Sequence, residues 1–149
     1  MLFRSDRPFA LCVSYLEPHP PHTGPLNDLY DPWSLPVGPA FMKPPPANAP
    51  LITRLMAAYY MASEEYGLDL QTEEGWRRVL ARYWGNITLV DRSVQKILSA
   101  LEESGQTDNT IVVFTSDHGE MTGDHGILGK TLMYEESVRV PMLIRAPML

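Results

Sequence analysis

The chain has 149 residues, 44% of them hydrophobic and 20% charged, the composition of an ordinary globular domain. Its formal net charge of -6 argues against a nucleic-acid partner, because a phosphate backbone demands a basic face, yet a few local cations could still hold a small anion. The single cysteine, Cys12, excludes an internal disulfide framework, and no apolar run approaches the length of a membrane span.

The opening Met1-Leu2-Phe3-Arg4-Ser5-Asp6 lacks the long apolar stretch of a secretory signal, which leaves the compartment open, with cytoplasm slightly ahead of periplasm. Residues 9–16 are a nearly continuous apolar run and read as a strand buried on both faces, as in a parallel sheet, with Cys12 as a small core residue. The run ends at Glu17-Pro18-His19-Pro20-Pro21-His22, where the prolines forbid further ladder pairing. Both histidines therefore sit on a loop at a strand's carboxyl end. Residues 23–50 hold most of the 14 prolines and read as an extended excursion, lining a site or serving as a linker.

Residues 51–65 suggest a helix with Leu51, Leu55, Ala58, Tyr59 and Ala62 on one stripe. Thr72 before Glu73-Glu74 reads as an N-cap with acids in the first turn. A long helix follows, with Trp76, Val79, Leu80, Tyr83, Ile87, Val90, Val94, Ile97, Leu98 and Leu101 recurring at spacings of three and four, and Gly105 as its C-terminal cap. Residues 110–115 are β-branched and read as a second buried strand, and residues 141–146 as a shorter third. Strand, long helix, strand without a hairpin signal predicts a right-handed parallel crossover in an α/β sheet.

Ligands in open α/β sheets bind beyond the carboxyl ends of strands. Two such ends carry unusual polar residues here: His19 and His22 after the first, Asp117 and His118 after the second. A carboxylate beside an imidazole suits a divalent cation, although two ligands alone cannot hold one tightly. The bland alternative has Asp117 capping the following turn and His118 simply buried. Gly119, Gly123, Gly126 and Gly129 thread a stretch that also holds Asp124, His125 and Lys130. Such glycine density lets backbone approach a ligand, and the lysine could neutralise an anion or protonate a leaving oxygen. A glycine-rich surface loop with a solvated lysine fits the same spacing.

The run Asp108-Asn109-Thr110-Ile111-Val112-Val113-Phe114-Thr115-Ser116-Asp117-His118-Gly119-Glu120 resembles the second metal-binding segment of the sulfatase family, in the alkaline-phosphatase superfamily. So does Gly123-Asp124-His125-Gly126-Ile127-Leu128-Gly129-Lys130, and residues 133–145 are similar to the family's next helix and strand. Upstream, Pro18-His19-Pro20-Pro21-His22 resembles a Pro-His-x-Pro motif at a strand end. The resemblance spans nearly the whole chain.

It implies one partial alkaline-phosphatase-like α/β domain over 1–149, a parallel or mixed sheet flanked by helices. It implies Asp117 and His118 as metal ligands, for calcium first, with magnesium or manganese as alternatives. Lys130 and His19 would act at the sulfate or phosphate group, and His22 and His125 would line the pocket. The implied activity is sulfuric ester hydrolysis, with a phosphate or phosphonate monoester as the alternative substrate and no nucleic acid or membrane as partner.

One departure matters. The family's nucleophile, a Cys or Ser in a Cys/Ser-x-Pro/Ala-x-Arg signature, is missing, since Cys12 is followed by Val13-Ser14-Tyr15-Leu16. The first pair of metal-binding aspartates is missing as well. Family order places both upstream, which implies a fragment. On that reading the isolated chain catalyses nothing, and its uncovered sheet edge could drive homo-oligomerisation.

Overall fold

A computed structural model describes residues 7–147. The opening residues that argue against a secretory signal lie outside that range, as do residues 148–149. No helix of the described residues is long and apolar enough to cross a membrane.

Two short elements lead into the dominant helix. The first helix, α1 (Leu51–Tyr60), is followed by a two-stranded antiparallel ladder, β1 (Glu64–Glu65) with β2 (Leu68–Asp69). The helix is therefore shorter than expected, and its expected stripe points outward. Leu51, Leu55 and Tyr59 are exposed, while Thr53 and Ala57 face inward. Ala57 packs in one buried cluster with Met121, Ile127 and Leu132.

The 31-residue helix α2 (Glu73–Glu103) runs about 46 Å at 1.5 Å per residue. Its start is as the sequence indicates: Thr72 Oγ1 accepts from the Gly75 amide at 3.1 Å, and Glu73 and Glu74 occupy the positive end of the dipole. Each also pairs one turn on, with Arg77 and Arg78 at 2.7 and 2.8 Å. At the far end Gly105 takes φ +70°, so that its amide reaches Glu102 and the Gln106 amide reaches Leu101. Those two bonds make the Schellman turn for which glycine is preferred.

Burial along α2 is uneven. Its first half buries Gly75, Trp76, Val79, Leu80, Ala81, Gly85 and Asn86, whereas beyond Asn86 the one buried helix residue is Leu101. Gly75 lies so close to the Asp69 carbonyl that a Cβ would stand 1.8 Å from its oxygen. Trp76, fully enclosed, donates its indole N–H to the Leu70 carbonyl at 2.7 Å. Around it pack Leu68, Leu70, Val79 and Leu128, with Phe41 and Met42 from the proline-rich excursion. Tyr30 and Leu35 of the same excursion pack on Leu80 and Ala81. Residues 23–50 thus form turns without regular elements, laid against α2 rather than hanging free.

The expected parallel sheet is not what the described residues form. Strand β3 (Val112–Thr115) pairs antiparallel with β4 (Met142–Arg145), Val113 opposite Ile144 and Phe114 opposite Leu143. Neither face is covered: Val113, Leu143 and Ile144 are each more than half exposed. Residues 9–16 form no strand, and Cys12 is exposed rather than buried. The physical reason is common to both corrections. An apolar run becomes a buried strand only beside other strands and under a second layer; among the described residues, 9–16 have no strand beside them, and β3 and β4 have only each other and no covering layer. A helix α3 (Glu135–Val138) joins the glycine-rich segment to β4.

Candidate functional site

The carboxyl end of β3 delivers Ser116, Asp117 and His118 to the surface. The Asp117 carboxylate is exposed, and backbone N–H groups, its own first and then that of His118, hold its pKa below the usual carboxylate value. His118 Nδ1 lies 2.8 Å from the Gly119 carbonyl oxygen. A carbonyl can only accept, so Nδ1 carries a hydrogen and the ring is oriented through it. Its Nε2 stands 3.5 Å from Asp117 Oδ2. An imidazole nitrogen oriented through its other nitrogen, beside a carboxylate, is a donor set of the kind that suits a divalent cation. It is also incomplete, since no group of three His, Cys, Asp or Glu side chains converges on such a site among the described residues.

From Asp117 the backbone turns inward. Gly119 donates to the Ser137 carbonyl at 2.7 Å, and a Cβ at Gly119 would stand 2.0 Å from the Glu136 carbonyl oxygen. Only glycine permits that approach. The chain then buries Met121, Gly123, Gly126, Ile127 and Leu128 before emerging at Lys130. The stretch is therefore packed into the core rather than lying on the surface as a glycine-rich loop. Two further links fix where Lys130 emerges. Glu120 Oε1 accepts from the Gly129 amide, and the Ser137 hydroxyl donates to the Lys130 carbonyl at 2.7 Å. Ser137 thus bonds to both ends of the motif, one residue from His118 and at Lys130 itself. Lys130 takes part in none of the ion pairs among the described residues.

The histidines of the 17–22 turn separate into an exposed one and a buried one. His19 is exposed, with Nδ1 2.8 Å from the Pro20 carbonyl oxygen, so its Nε2 faces outward. His22 is 1% exposed. Its Nδ1 lies 2.8 Å from the Pro18 carbonyl oxygen, its Nε2 has no partner, and its ring meets Tyr66 and Tyr83 edge to face. Burial lowers its pKa; the charge of Glu120 and the Pro18 bond oppose that shift, and the charges of His19 and Lys130 add to it. Glu120, His19 and Lys130 are thus each within electrostatic reach of His22. Glu120 also acts on Tyr83, whose pKa is pushed up to about 12 by burial first and this carboxylate second.

His125 is engaged differently. Its ring stacks on Tyr134 with centroids 4.1 Å apart, and its amide donates to the Ala40 carbonyl. Sequence reasoning missed Glu120 and Ser137. Both lie inside recognised motifs, yet no spacing rule marks a glutamate that bonds nine residues ahead or a serine that bonds seven residues back. A cleft of ≈330 Å³ is lined by Tyr30, Asp31, Arg78 and Arg82 among others and includes none of the predicted site residues. The geometry of the motif residues is the better guide, because they sit at a strand end with free donor atoms.

Comparison with known proteins gives this arrangement a context. The family described as Sulfatase matches residues 2–148. The chain is 35% identical to the multifunctional alkaline phosphatase superfamily protein PehA of Trinickia caryophylli, covering 95% of the chain and 29% of that protein. It is likewise 35% identical to an arylsulfatase of Clostridium perfringens, covering 95% of the chain and 28% of that enzyme. Its structure superposes on the phosphonate monoester hydrolase of Agrobacterium radiobacter with a TM-score of 0.76 at 36% identity, over 96% of the chain and 30% of that hydrolase. The chain thus spans under a third of the relatives it matches, and over that span it belongs to the sulfatase family.

Proposed function

We propose that the chain supplies the metal-binding and anion-binding half of a site for hydrolysing sulfate esters. The observation that carries this reading is the Ser137 link, which holds the Asp117-His118 donor pair and Lys130 to one short piece of backbone. Asp117 and His118 would hold a divalent cation, calcium first, which when bound stabilises negative charge on the nucleophile and the ester oxygens. The Lys130 ammonium would lie against the anion, and His19, with Nε2 outward, would hydrogen-bond it or give a proton to the leaving oxygen. His22 and His125 do not touch the substrate on this reading; the first is buried and the second is stacked.

The nucleophile comes from outside residues 1–149, because no Cys/Ser-x-Pro/Ala-x-Arg signature occurs among them. The chain alone is therefore inactive, and its exposed β3–β4 sheet favours association with another copy. Phosphonate or phosphate monoesters are a second reading, favoured by the likeness to the Agrobacterium hydrolase. The test is turnover of nitrophenyl sulfate and of nitrophenyl phenylphosphonate with calcium or manganese, by the chain alone and by a polypeptide carrying the signature upstream of it. The longer protein should hydrolyse the sulfate ester faster and lose about 100-fold or more in kcat on Lys130→Ala. Turnover by the chain alone, or a Lys130→Ala enzyme at full rate, would contradict the proposal.

A further inference from the structure

We infer that His22 is a positioning residue for His19, acting through its hydrogen bond to the Pro18 carbonyl; the functional consequence rests on the proposed role of His19 at the anion. The geometry is direct. The carbonyl that His22 engages belongs to Pro18, the residue immediately before His19. His22 itself cannot drift, because it is 1% exposed and wedged edge to face between Tyr66 and Tyr83, at 5.9 and 5.4 Å. Tyr83 stands on α2, in the well-packed first half of that helix, so the turn is tied through His22 to that packed half. His19 has no comparable anchor. Its ring is exposed, and its contacts are the Leu16 carbonyl to its amide at 3.1 Å and the Pro20 carbonyl to Nδ1.

A buried imidazole with one satisfied nitrogen is a costly way to fill a hole between tyrosines, since an apolar ring would leave no orphaned Nε2. The donor at Nδ1 accounts for its use. His22 also takes φ +47°, a backbone region that asparagine tolerates well, and the Asn side-chain amide presents a donor where His presents Nδ1. The neutral state of His22, favoured by its burial, leaves that donor in place across neutral pH.

The experiment is long-range ¹H–¹⁵N correlation spectroscopy of the four imidazoles at pH 8, which reads turn geometry whether or not any ester is hydrolysed. In the parent chain His22 and His19 should both be in the Nδ1–H form, opposite to the Nε2–H form that predominates in an unconstrained neutral imidazole. His22→Asn should keep His19 in the Nδ1–H form. His22→Phe, which keeps a ring, and His22→Gly, which keeps the backbone freedom, should both move His19 to mostly Nε2–H. Backbone amide spectra identify which variants remain folded, and the parent spectrum stands even if none does. The inference is overturned if His22 is Nε2–H in the parent chain, if a folded Phe or Gly variant leaves His19 unchanged, or if a folded Asn variant releases it. Failure of ester hydrolysis with these spectra as expected would count against the proposed function alone.

Discussion

Residues 119–137 and the β3–β4 sheet both carry large apolar side chains, the sheet far more densely, and these meet opposite fates. In the first, Met121, Ile127, Leu128 and Leu132 are buried against α1, α2 and the proline-rich excursion. In the second, Leu143 and Ile144 remain 65% and 59% exposed although their strand pairs in perfect register. Backbone pairing satisfies the polar groups of both strands and still leaves their side chains in water. What separates the regions is a second layer. The glycine-rich segment has one on both sides, and a two-stranded sheet offers one to neither of its own faces.

A steep difference in mutational cost should follow. Trp76→Ala removes the centre of the packed region together with its bond to Leu70, and should destabilise the chain by ~3–5 kcal/mol in chemical denaturation. A loss under ~1 kcal/mol would mean that this core is not formed. Gly119→Ala drives a methyl group into the Glu136 carbonyl and should cost ~1–3 kcal/mol. Ser137→Ala deletes one hydroxyl bond to Lys130 and should cost about 1 kcal/mol, leaving the Gly119 link intact. At the other extreme, Ile144→Lys on β4 should change stability by less than ~0.5 kcal/mol while lowering self-association in sedimentation. Equal costs at Trp76 and Ile144 would erase the distinction.

Acidity sharpens the same contrast through His22. Its pKa is lowered in the folded chain, so between that value and about 6.5 the unfolded chain binds more protons. Stability should therefore be fully present above about pH 6.5 and decline as the pH falls through the folded pKa. The decline should be smaller in His22→Asn, and an unaltered profile would contradict the burial of this residue.

Much of this is legible in the amino-acid sequence, and the division follows the same line. Thr72 and Gly105 end α2 where spacing places them, because caps depend on a few adjacent residues. The excursion over 23–50 is legible from prolines that forbid ladders. Residues 9–16 and the parallel crossover are not, since a buried strand is defined by neighbours distant in sequence. The outward stripe of α1 fails for the same cause: three-residue periodicity shows that a helix has an apolar face, and the location of Met121 and Ile127 decides which face is used. At the site, residue chemistry singles out Asp117, His118 and Lys130, while the roles of Glu120 and Ser137 arise only when a carbonyl and an amide are brought into reach.

The most direct test of the central claim, a metal-binding half-site at the end of β3, is Mn²⁺ titration of the ¹⁵N-labelled chain, followed by paramagnetic line broadening. The account predicts selective broadening at Asp117, His118 and Gly119, falling off with distance from that pair, and its loss in Asp117→Ala. Broadening centred elsewhere, or unchanged in Asp117→Ala, would contradict it.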